Sequence, residues 1–169
     1  MSTRMTRPAQ SRGGSRPVYS RILAATDFSS FSDAALVEAD RLSQQTGAEL
    51  MVVHVLGPIL DDGATKSLYA ETAQKIRQQV KRLKIVQSEI KIVVQNGVPS
   101  REIVELATKT GAELVVIGTQ GVTGLKRVLL GSTAEWVVRH ATCPVLVVRG
   151  RRKAVRPKPR GDITSLLSP

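Results

Sequence analysis

The segment from Gly118 to Thr133, GTQGVTGLKRVLLGST, contains the residue types in this sequence that best fit a chemical role. It follows the apolar residues LVVI and contains four glycines, at positions 118, 121, 124 and 131. Glycine lets a ligand approach main-chain N–H groups closely, and consecutive amides at the start of a helix form a site for anions. Ser132 and Thr133 add hydroxyl groups at that start. The segment therefore predicts phosphate binding.

The spacing of these glycines differs from that of the commoner phosphate loops, because neither G-x-x-x-x-G-K-[ST] nor G-x-G-x-x-G occurs here. A purely structural role stays open. In that case Gly118 and Gly121 make a tight turn after a strand, and Gly131 relieves a crowded helix entry.

Other residue types that could do chemistry have structural explanations. His54 lies in an apolar run and is expected to be a satisfied core histidine, whereas His140 suits the negative end of a helix. Cys143 and Trp136 are expected to be packing residues. No zinc-type Cys/His spacing and no G-x-S-x-G motif occurs in the sequence. The sequence therefore shows no evident catalytic base or metal cluster.

Apolar runs alternate with segments of helical periodicity along the chain. The predicted strands are Arg21 to Asp27, Glu49 to Leu56, Ile90 to Gln95, Glu113 to Gly118 and Pro144 to Arg149. The predicted helices run from a capping box at Ser30 and Asp33 to Gly47, from Thr65 to Val86, from Arg101 to Thr110 with Ser100 as the N-cap and Gly111 as the end, and from Ser132 to Ala141.

This order predicts an α/β fold with an open five-stranded parallel sheet and helices on both faces, because strands that are apolar throughout must be covered on both sides. Ligands of such sheets bind beyond the carboxyl ends of the strands, where the strand order reverses. With the strand order 3-2-1-4-5, strands one and four are neighbours at the reversal. The segments ATD and GTQG would then face each other across one crevice.

The net charge of +11 is confined to the two ends of the 169-residue chain. Residues 1–21 carry five arginines and no acid, and residues 149–169 carry seven Lys or Arg and one Asp, whereas the interior has equal numbers of acidic and basic residues. We therefore predict a neutral domain over 21–149, with basic tails at 1–20 and 150–169. Such tails bind phosphate backbones through counterion release, or they simply aid solubility.

The remaining composition indicates a cytoplasmic protein. A single cysteine excludes an internal disulfide and fits a reducing compartment. No apolar run approaches the length of roughly 18 to 20 residues that a membrane helix needs, and the leader lacks the apolar region of a secretory signal. The leader is Arg-rich and Ser-rich, as transit peptides are, but it contains proline and lacks an amphipathic stripe.

The glycine spacing is similar to the G-x2-G-x9-G-[ST] signature of the ATP-binding branch of the universal stress protein family. Further matches are ILAATDFS, VVHV, NGVPSREIV, VVIGTQG and the closing CPVLVV. They extend from about Arg21 to Arg149 and so cover nearly all of the neutral domain. The resemblance implies a Rossmann-like fold that holds ATP in the crevice and forms a homodimer through the last strand, Pro144 to Arg149.

The resemblance also implies roles for individual residues. Asp27 corresponds to an acidic residue near the ribose and the phosphate-bound Mg²⁺, although an Asp in this place can instead cap the first helix. Many relatives have Ser-His or Ser-Arg where this chain has Thr119-Gln120, and Lys126 and Arg127 either replace the lost charge or are simply solvated. The implied nucleotide-binding residues, with Val55 offering backbone groups to adenine, are Ala25, Thr26, Asp27, Val55, Gly118, Thr119, Gln120, Gly121, Val122, Thr123, Gly124, Gly131, Ser132 and Thr133.

Together these features predict an ATP-binding, dimeric stress-response regulator rather than an enzyme. One acid and a set of amides can hold ATP and Mg²⁺, but they provide no base for fast phosphoryl transfer, so we expect little or slow hydrolysis. The alternative is a nucleic-acid-associated or ribosome-associated factor that binds RNA through its tails. An adenylyl-transferring enzyme is disfavoured, because no HIGH-like or SGG-type motif follows the first strand.

Overall fold

The structure is a computed structural model that describes residues 18–58, 65–86, 89–120 and 130–150. The predicted binding residues Gly121, Val122, Thr123 and Gly124 lie outside this part of the chain, as do Lys126, Arg127 and most of both tails. The described elements, in chain order, are β1 Arg21–Ala25, α1 Ser30–Thr46, β2 Glu49–Leu56, α2 Thr65–Arg82, β3 Ile90–Asn96, α3 Pro99–Thr110, β4 Leu114–Gly118, α4 Ser132–His140 and β5 Val145–Val148. No helix within these residues is both long and apolar enough to cross a bilayer.

The strands form one parallel sheet in the order β3-β2-β1-β4-β5, which confirms the predicted topology. β1 lies in the centre and pairs Ala25 with Val53 of β2 and Ala24 with Val116 of β4. The strand order therefore reverses between β1 and β4. Their carboxyl ends open side by side at the same edge of the sheet.

Two apolar layers hold the helices to the sheet, because successive strand residues point to opposite faces. Ile22 and Ala24 of β1 pack in the layer that contains α1 residues and the fully buried Ile76 of α2. Leu23 and Ala25 pack in the opposite layer, which contains residues of α3 and α4. This two-sided burial explains why the strands are apolar throughout.

The start of α1 differs from the predicted capping box. Ser29 is the N-cap, and its hydroxyl oxygen accepts a hydrogen bond from the Ser32 amide at 3.2 Å. Asp33 does not close a box with Ser30, because its carboxylate accepts hydrogen bonds from α2 instead. The predicted stop at Gly47 is confirmed, since this residue takes a left-handed conformation with φ of 72°.

Other element ends differ by a few residues. β1 ends at Ala25 rather than Asp27, and α2 ends at Arg82 rather than Val86. α3 begins at Pro99 after Val98, so the prediction of Ser100 as its N-cap was wrong. Proline suits the first turn of a helix, where its missing N–H would have no partner.

Candidate functional site

A cavity of about 280 Å³ lies at the carboxyl ends of β1, β2 and β4. It contains every predicted binding residue that the structure describes: Ala25, Thr26, Asp27, Val55, Gly118, Thr119, Gln120, Gly131, Ser132 and Thr133. Seven residues that sequence reasoning missed complete its wall: Ser32, Val53, His54, Pro99, Ile103, Ile117 and Ala134. The structure thus brings the segment ATD and residues 118–120 of the segment GTQG together in one crevice.

The first turn of α4 supplies unpaired amides to this cavity. The first helical hydrogen bond runs from the Glu135 amide to the Gly131 carbonyl at 2.9 Å, so the amides of Ser132, Thr133 and Ala134 precede the helical ladder and have no partner within α4. The positive end of the helix adds to their attraction for anions. These three amides and two hydroxyl groups can hold a phosphate.

Gly131 lies in the predicted phosphate-binding segment, but its amide already donates to another residue of the chain. Its amide donates a hydrogen bond to the Thr119 carbonyl at 2.7 Å, and this bond ties the start of α4 to the residue after β4. Its φ of −70° and ψ of 153° are open to other residues. Gly131 is therefore the anchor of α4 rather than one of the unpaired donors.

Gly118 is required for packing. A Cβ atom here would lie 2.8 Å from the carbonyl carbon of Phe31, in the first turn of α1. The next residue, Thr119, donates its amide to the Val148 carbonyl at 2.9 Å. The end of β4 thus lies directly against α1, pairs with β5 and lines the cavity at the same time.

The turn between β1 and α1 presents Asp27. Ser29 donates its amide to Asp27 Oδ1 at 3.0 Å, and Phe28, with φ of 65°, donates its amide to Thr26 Oγ1 at 3.1 Å. Because Ser29 is the N-cap of α1, the alternative role of Asp27 as a helix cap is wrong. The carboxylate is half-buried and lines the cavity.

Val55 directs its backbone N–H and C=O toward the cavity. The Val53 carbonyl accepts the Thr26 amide at 2.8 Å, so the backbone groups of Val53 face β1. Backbone groups alternate in direction along a strand, and those of Val55 therefore face the same side. The last residue of β1, Ala25, pairs with Val53, two residues before Val55. The N–H and C=O of Val55 therefore point into the space beyond the carboxyl end of β1.

His54 is satisfied, as expected, but it also lines the cavity. Its Nδ1 lies 2.8 Å from the Thr26 carbonyl oxygen, and because a carbonyl only accepts, Nδ1 is the donor. Its ring stands 4.6 Å from that of Phe28. The pairing of Ala25 with Val53 could have revealed this placement, since His54 is the next residue along β2.

A family comparison agrees with this geometry. Residues 19–149 match the model of the universal stress protein family. The chain belongs to the universal stress protein family. Universal stress protein MJ0531 of Methanocaldococcus jannaschii is 36% identical over 145 residues, which are 80% of this chain and 85% of the relative. Universal stress protein YxiE of Bacillus subtilis is 32% identical over 148 residues, which are 78% of this chain and all of the relative.

Solved structures show the same universal stress protein fold. The structure of protein MJ0577, also from M. jannaschii, is 30% identical with a TM-score of 0.70 and covers 80% of this chain and 99% of its own. A universal stress protein solved in complex with cAMP is 26% identical with a TM-score of 0.66 and covers 79% and 99%. The family thus includes a member whose structure holds an adenine nucleotide.

The remaining titratable and aromatic groups of this universal stress protein can be compared with their expected roles. Among the described residues no group of three or more His, Cys, Asp or Glu could hold a metal ion. Burial raises the pKa of the Cys143 thiol, and this side chain packs in the apolar layer of α3 and α4. Trp136, expected to be a packing residue of the last helix, is 39% exposed and stacks on His140 of α4 with ring centroids 3.9 Å apart.

Proposed function

We propose that this universal stress protein binds an adenine nucleotide, ATP with Mg²⁺, in the cavity at the ends of β1, β2 and β4. The observation that carries the proposal is the start of α4, where three amides without a partner among the described residues adjoin a cavity with apolar walls. Phosphates meet amides and a helix dipole there. The structure of a relative in complex with cAMP supports the adenine class of ligand.

The cavity offers separate surroundings to the parts of the nucleotide. Val53, Ile103 and Ile117 form apolar walls that suit a purine, and the outward N–H and C=O of Val55 can bond to its edge. Thr119 and Gln120 lie toward the ribose in this arrangement. The phosphates then extend to Ser132 and Thr133.

Asp27 fits a Mg²⁺ contact. Protein-bound Mg²⁺ usually takes one or two carboxylates together with substrate phosphates and waters, rather than a closed cage of side chains. Asp27 is the one carboxylate among the described residues that line the cavity, so it would hold the ion against the phosphates of the nucleotide. The ion would supply charge neutralisation there.

The lining favours holding ATP over cleaving it. Within the described part of the chain, Asp27 and His54 are the titratable groups that line the cavity. Both already hold the turn before α1, because Asp27 accepts the Ser29 amide and His54 donates to the Thr26 carbonyl. A fast phosphoryl transfer needs a group that orients or deprotonates the nucleophile. We therefore propose a regulator whose nucleotide selects between conformational or assembly states, with at most slow hydrolysis.

We also propose a homodimer through β5. The Pro144 and Val148 carbonyls accept amides of Val115 and Thr119, so these residues face β4. The alternate residues Val145 and Val147 therefore direct their N–H and C=O away from the sheet. The edge is apolar, with all four β5 residues half-buried, and a second copy can extend it.

A second candidate function rests on charge. Residues 1–21 and 149–169 together carry the entire net charge of +11, and basic arms attract nucleic-acid backbones without sequence readout. RNA or ribosome binding through the tails is compatible with nucleotide binding in the domain. The two functions separate on deletion of the tails.

The nucleotide proposal is tested by removing a single amide. Ser132 is the first residue of α4 and follows Gly131 with ψ of 153°, a conformation that proline accepts in the preceding residue. Ser132→Pro removes one N–H and keeps the helix start, whereas Ser132→Ala keeps the N–H and removes the hydroxyl group. Calorimetric titration with ATP and Mg²⁺ should show roughly tenfold weaker binding for Ser132→Pro than for Ser132→Ala.

Absence of any binding by the nucleotide-stripped wild-type protein would overturn the nucleotide proposal and leave the tails as the functional part. Equal affinity of the two Ser132 variants would instead place the phosphates elsewhere. Unfolding curves of both variants serve as the control for the fold.

A further inference from the structure

A chain of polar side chains joins the cavity to the outer surface of α2. Thr26 Oγ1 donates to Gln79 Oε1 at 2.9 Å, and Gln79 Nε2 donates to Asp33 Oδ1 at 2.7 Å. Arg82 Nη2 then donates to both Asp33 oxygens, at 2.8 and 2.9 Å. Thr26 and Gln79 are 5% and 4% exposed, so the inner half of this chain is shielded from water.

The direction of each bond in this chain is fixed. Asp33, held by the Arg82 guanidinium, only accepts, so the Gln79 amide must turn its NH₂ group toward Asp33 and its oxygen toward Thr26. The single hydroxyl proton of Thr26 is therefore committed to Gln79. The Thr26 oxygen accepts the Phe28 amide at 3.1 Å, and Ser32 Oγ lies at the same distance from it.

The Thr26 hydroxyl group in turn holds the turn that carries Asp27. Phe28 keeps a left-handed conformation that costs free energy for a residue with a side chain, and its amide hydrogen bond to Thr26 Oγ1 helps to offset this cost. Asp27 lies between these two residues. Without Gln79 the Thr26 hydroxyl would turn its proton toward Ser32 Oγ, 3.1 Å away in α1, and this rotation would shift the oxygen lone pair that accepts the Phe28 amide.

We propose that Gln79 of α2 is a positioning residue for the nucleotide site, which it controls through Thr26 and the turn that carries Asp27. This inference rests on the proposed nucleotide binding. The packing of α2 against the domain and the occupancy of the cavity are then thermodynamically linked. Loss of the Gln79 contact lowers the fraction of binding-competent protein, and bound nucleotide stabilises α2 in return.

The neighbouring residue Gln78 provides a matched control. It has the same side chain on the same helix but is exposed and lies outside the cavity. Gln79→Met keeps the length of the side chain and removes both hydrogen bonds, whereas Gln78→Met makes the same chemical change on the surface. We expect ATP affinity, measured by titration calorimetry with Mg²⁺, to fall roughly tenfold in Gln79→Met and to stay unchanged in Gln78→Met.

A donor–acceptor exchange tests the bond itself. Gln79→Glu alone places two carboxylates in contact and should weaken ATP binding. Combined with Asp33→Asn, the new carboxylate accepts both from Thr26 and from the new amide, with the total charge unchanged. Affinity should then return to within about threefold of wild type, well above that of Gln79→Glu. If Gln79→Met fails to fold, the comparison of Gln79→Glu with the double variant still tests whether Gln79 positions the site.

Hydrogen exchange separates positioning from general stability. In the wild-type protein, saturating ATP and Mg²⁺ should slow exchange of the amides in α2 and in the first turn of α4. In Gln79→Met at saturating nucleotide, the protection of α4 should persist while that of α2 is lost. Equal affinity and equal α2 protection in wild type and Gln79→Met would overturn the inference and leave nucleotide binding standing. A wild-type protein that binds no adenine nucleotide would overturn both.

Discussion

At the scale of single residues, Gly118 shows how a motif glycine can serve packing before it serves a ligand. The missing Cβ lets β4 approach the first turn of α1, where Phe31 backbone atoms would lie 2.8 and 2.9 Å from an added methyl group. Those atoms belong to a helix and cannot move aside as the end of a flexible side chain could. A substitution here therefore acts on the fold first.

We expect Gly118→Ala to lower the free energy of unfolding by about 1–3 kcal/mol, the usual cost of overpacking. Gly57→Ala is the matched control, because a Cβ there meets nothing within 4 Å. Its stability should change by less than about 0.5 kcal/mol or rise slightly. Urea unfolding of both variants is the measurement. A Gly118→Ala protein as stable as wild type would show that α1 and β4 can separate at no cost.

The glycine-rich segment was recognisable from residue spacing, but the separate roles of its glycines were not. Spacing predicted that Gly118 and Gly131 belong to one site, and the cavity contains both. The contact of Gly118 with Phe31 and the bond of Gly131 to Thr119 depend on how distant elements meet. His54 was missed for the same reason, since its neighbour Thr26 follows another strand, β1.

At the scale of elements, the start of α1 is decided by one hydroxyl group. Ser29, Ser30 and Ser32 are chemically alike, so helical periodicity could predict α1 but not which serine caps it. The structure assigns the cap to Ser29, whose extended backbone aims its side chain at the Ser32 amide. The carboxylate of Asp33 is drawn away by Gln79 and Arg82.

Substitution of these serines by alanine should separate the two assignments. Ser29→Ala leaves the Ser32 amide without its side-chain acceptor and should lower the free energy of unfolding by about 1 kcal/mol. Ser30→Ala, at an exposed first-turn position, should change it by less than about 0.5 kcal/mol. Thermal or urea unfolding measures both. A larger effect at Ser30 would return the cap to the residue that the sequence pattern favoured.

At the scale of the whole molecule, the sheet order could be predicted because apolar strands of similar length alternate with helices and leave few topologies. The outward direction of the β5 backbone could not, because it depends on the register with β4. That register leaves the amide of Val147 without a partner in the sheet and makes it available to a second copy.

The proposed dimer can be tested at this amide. Val147→Pro removes an N–H that faces away from β4, so the ladder within the chain keeps its bonds and the proposed intermolecular pairing is blocked. We expect sedimentation velocity to show a dimer for wild type and a monomer for Val147→Pro, with circular dichroism unchanged. A variant that remains a dimer with native circular dichroism would exclude pairing through β5.

The distribution of charge gives a prediction for the entire chain. A neutral domain flanked by basic tails should bind RNA through the tails alone. The affinity should fall steeply as the salt concentration rises, because salt cations compete with the tails for the phosphates. For a single strand, the logarithm of the affinity should fall by about 0.7 per neutralised phosphate for each tenfold rise in salt. Fluorescence anisotropy with a labelled poly(U) strand measures this slope. Deletion of residues 1–17 and 151–169 should abolish the binding while ATP affinity stays unchanged, because the deletion retains every described residue that lines the cavity. Salt-dependent RNA binding that survives the deletion would assign the contact to the domain instead, and RNA binding that is absent in the full chain would leave the tails without a role in nucleic-acid recognition.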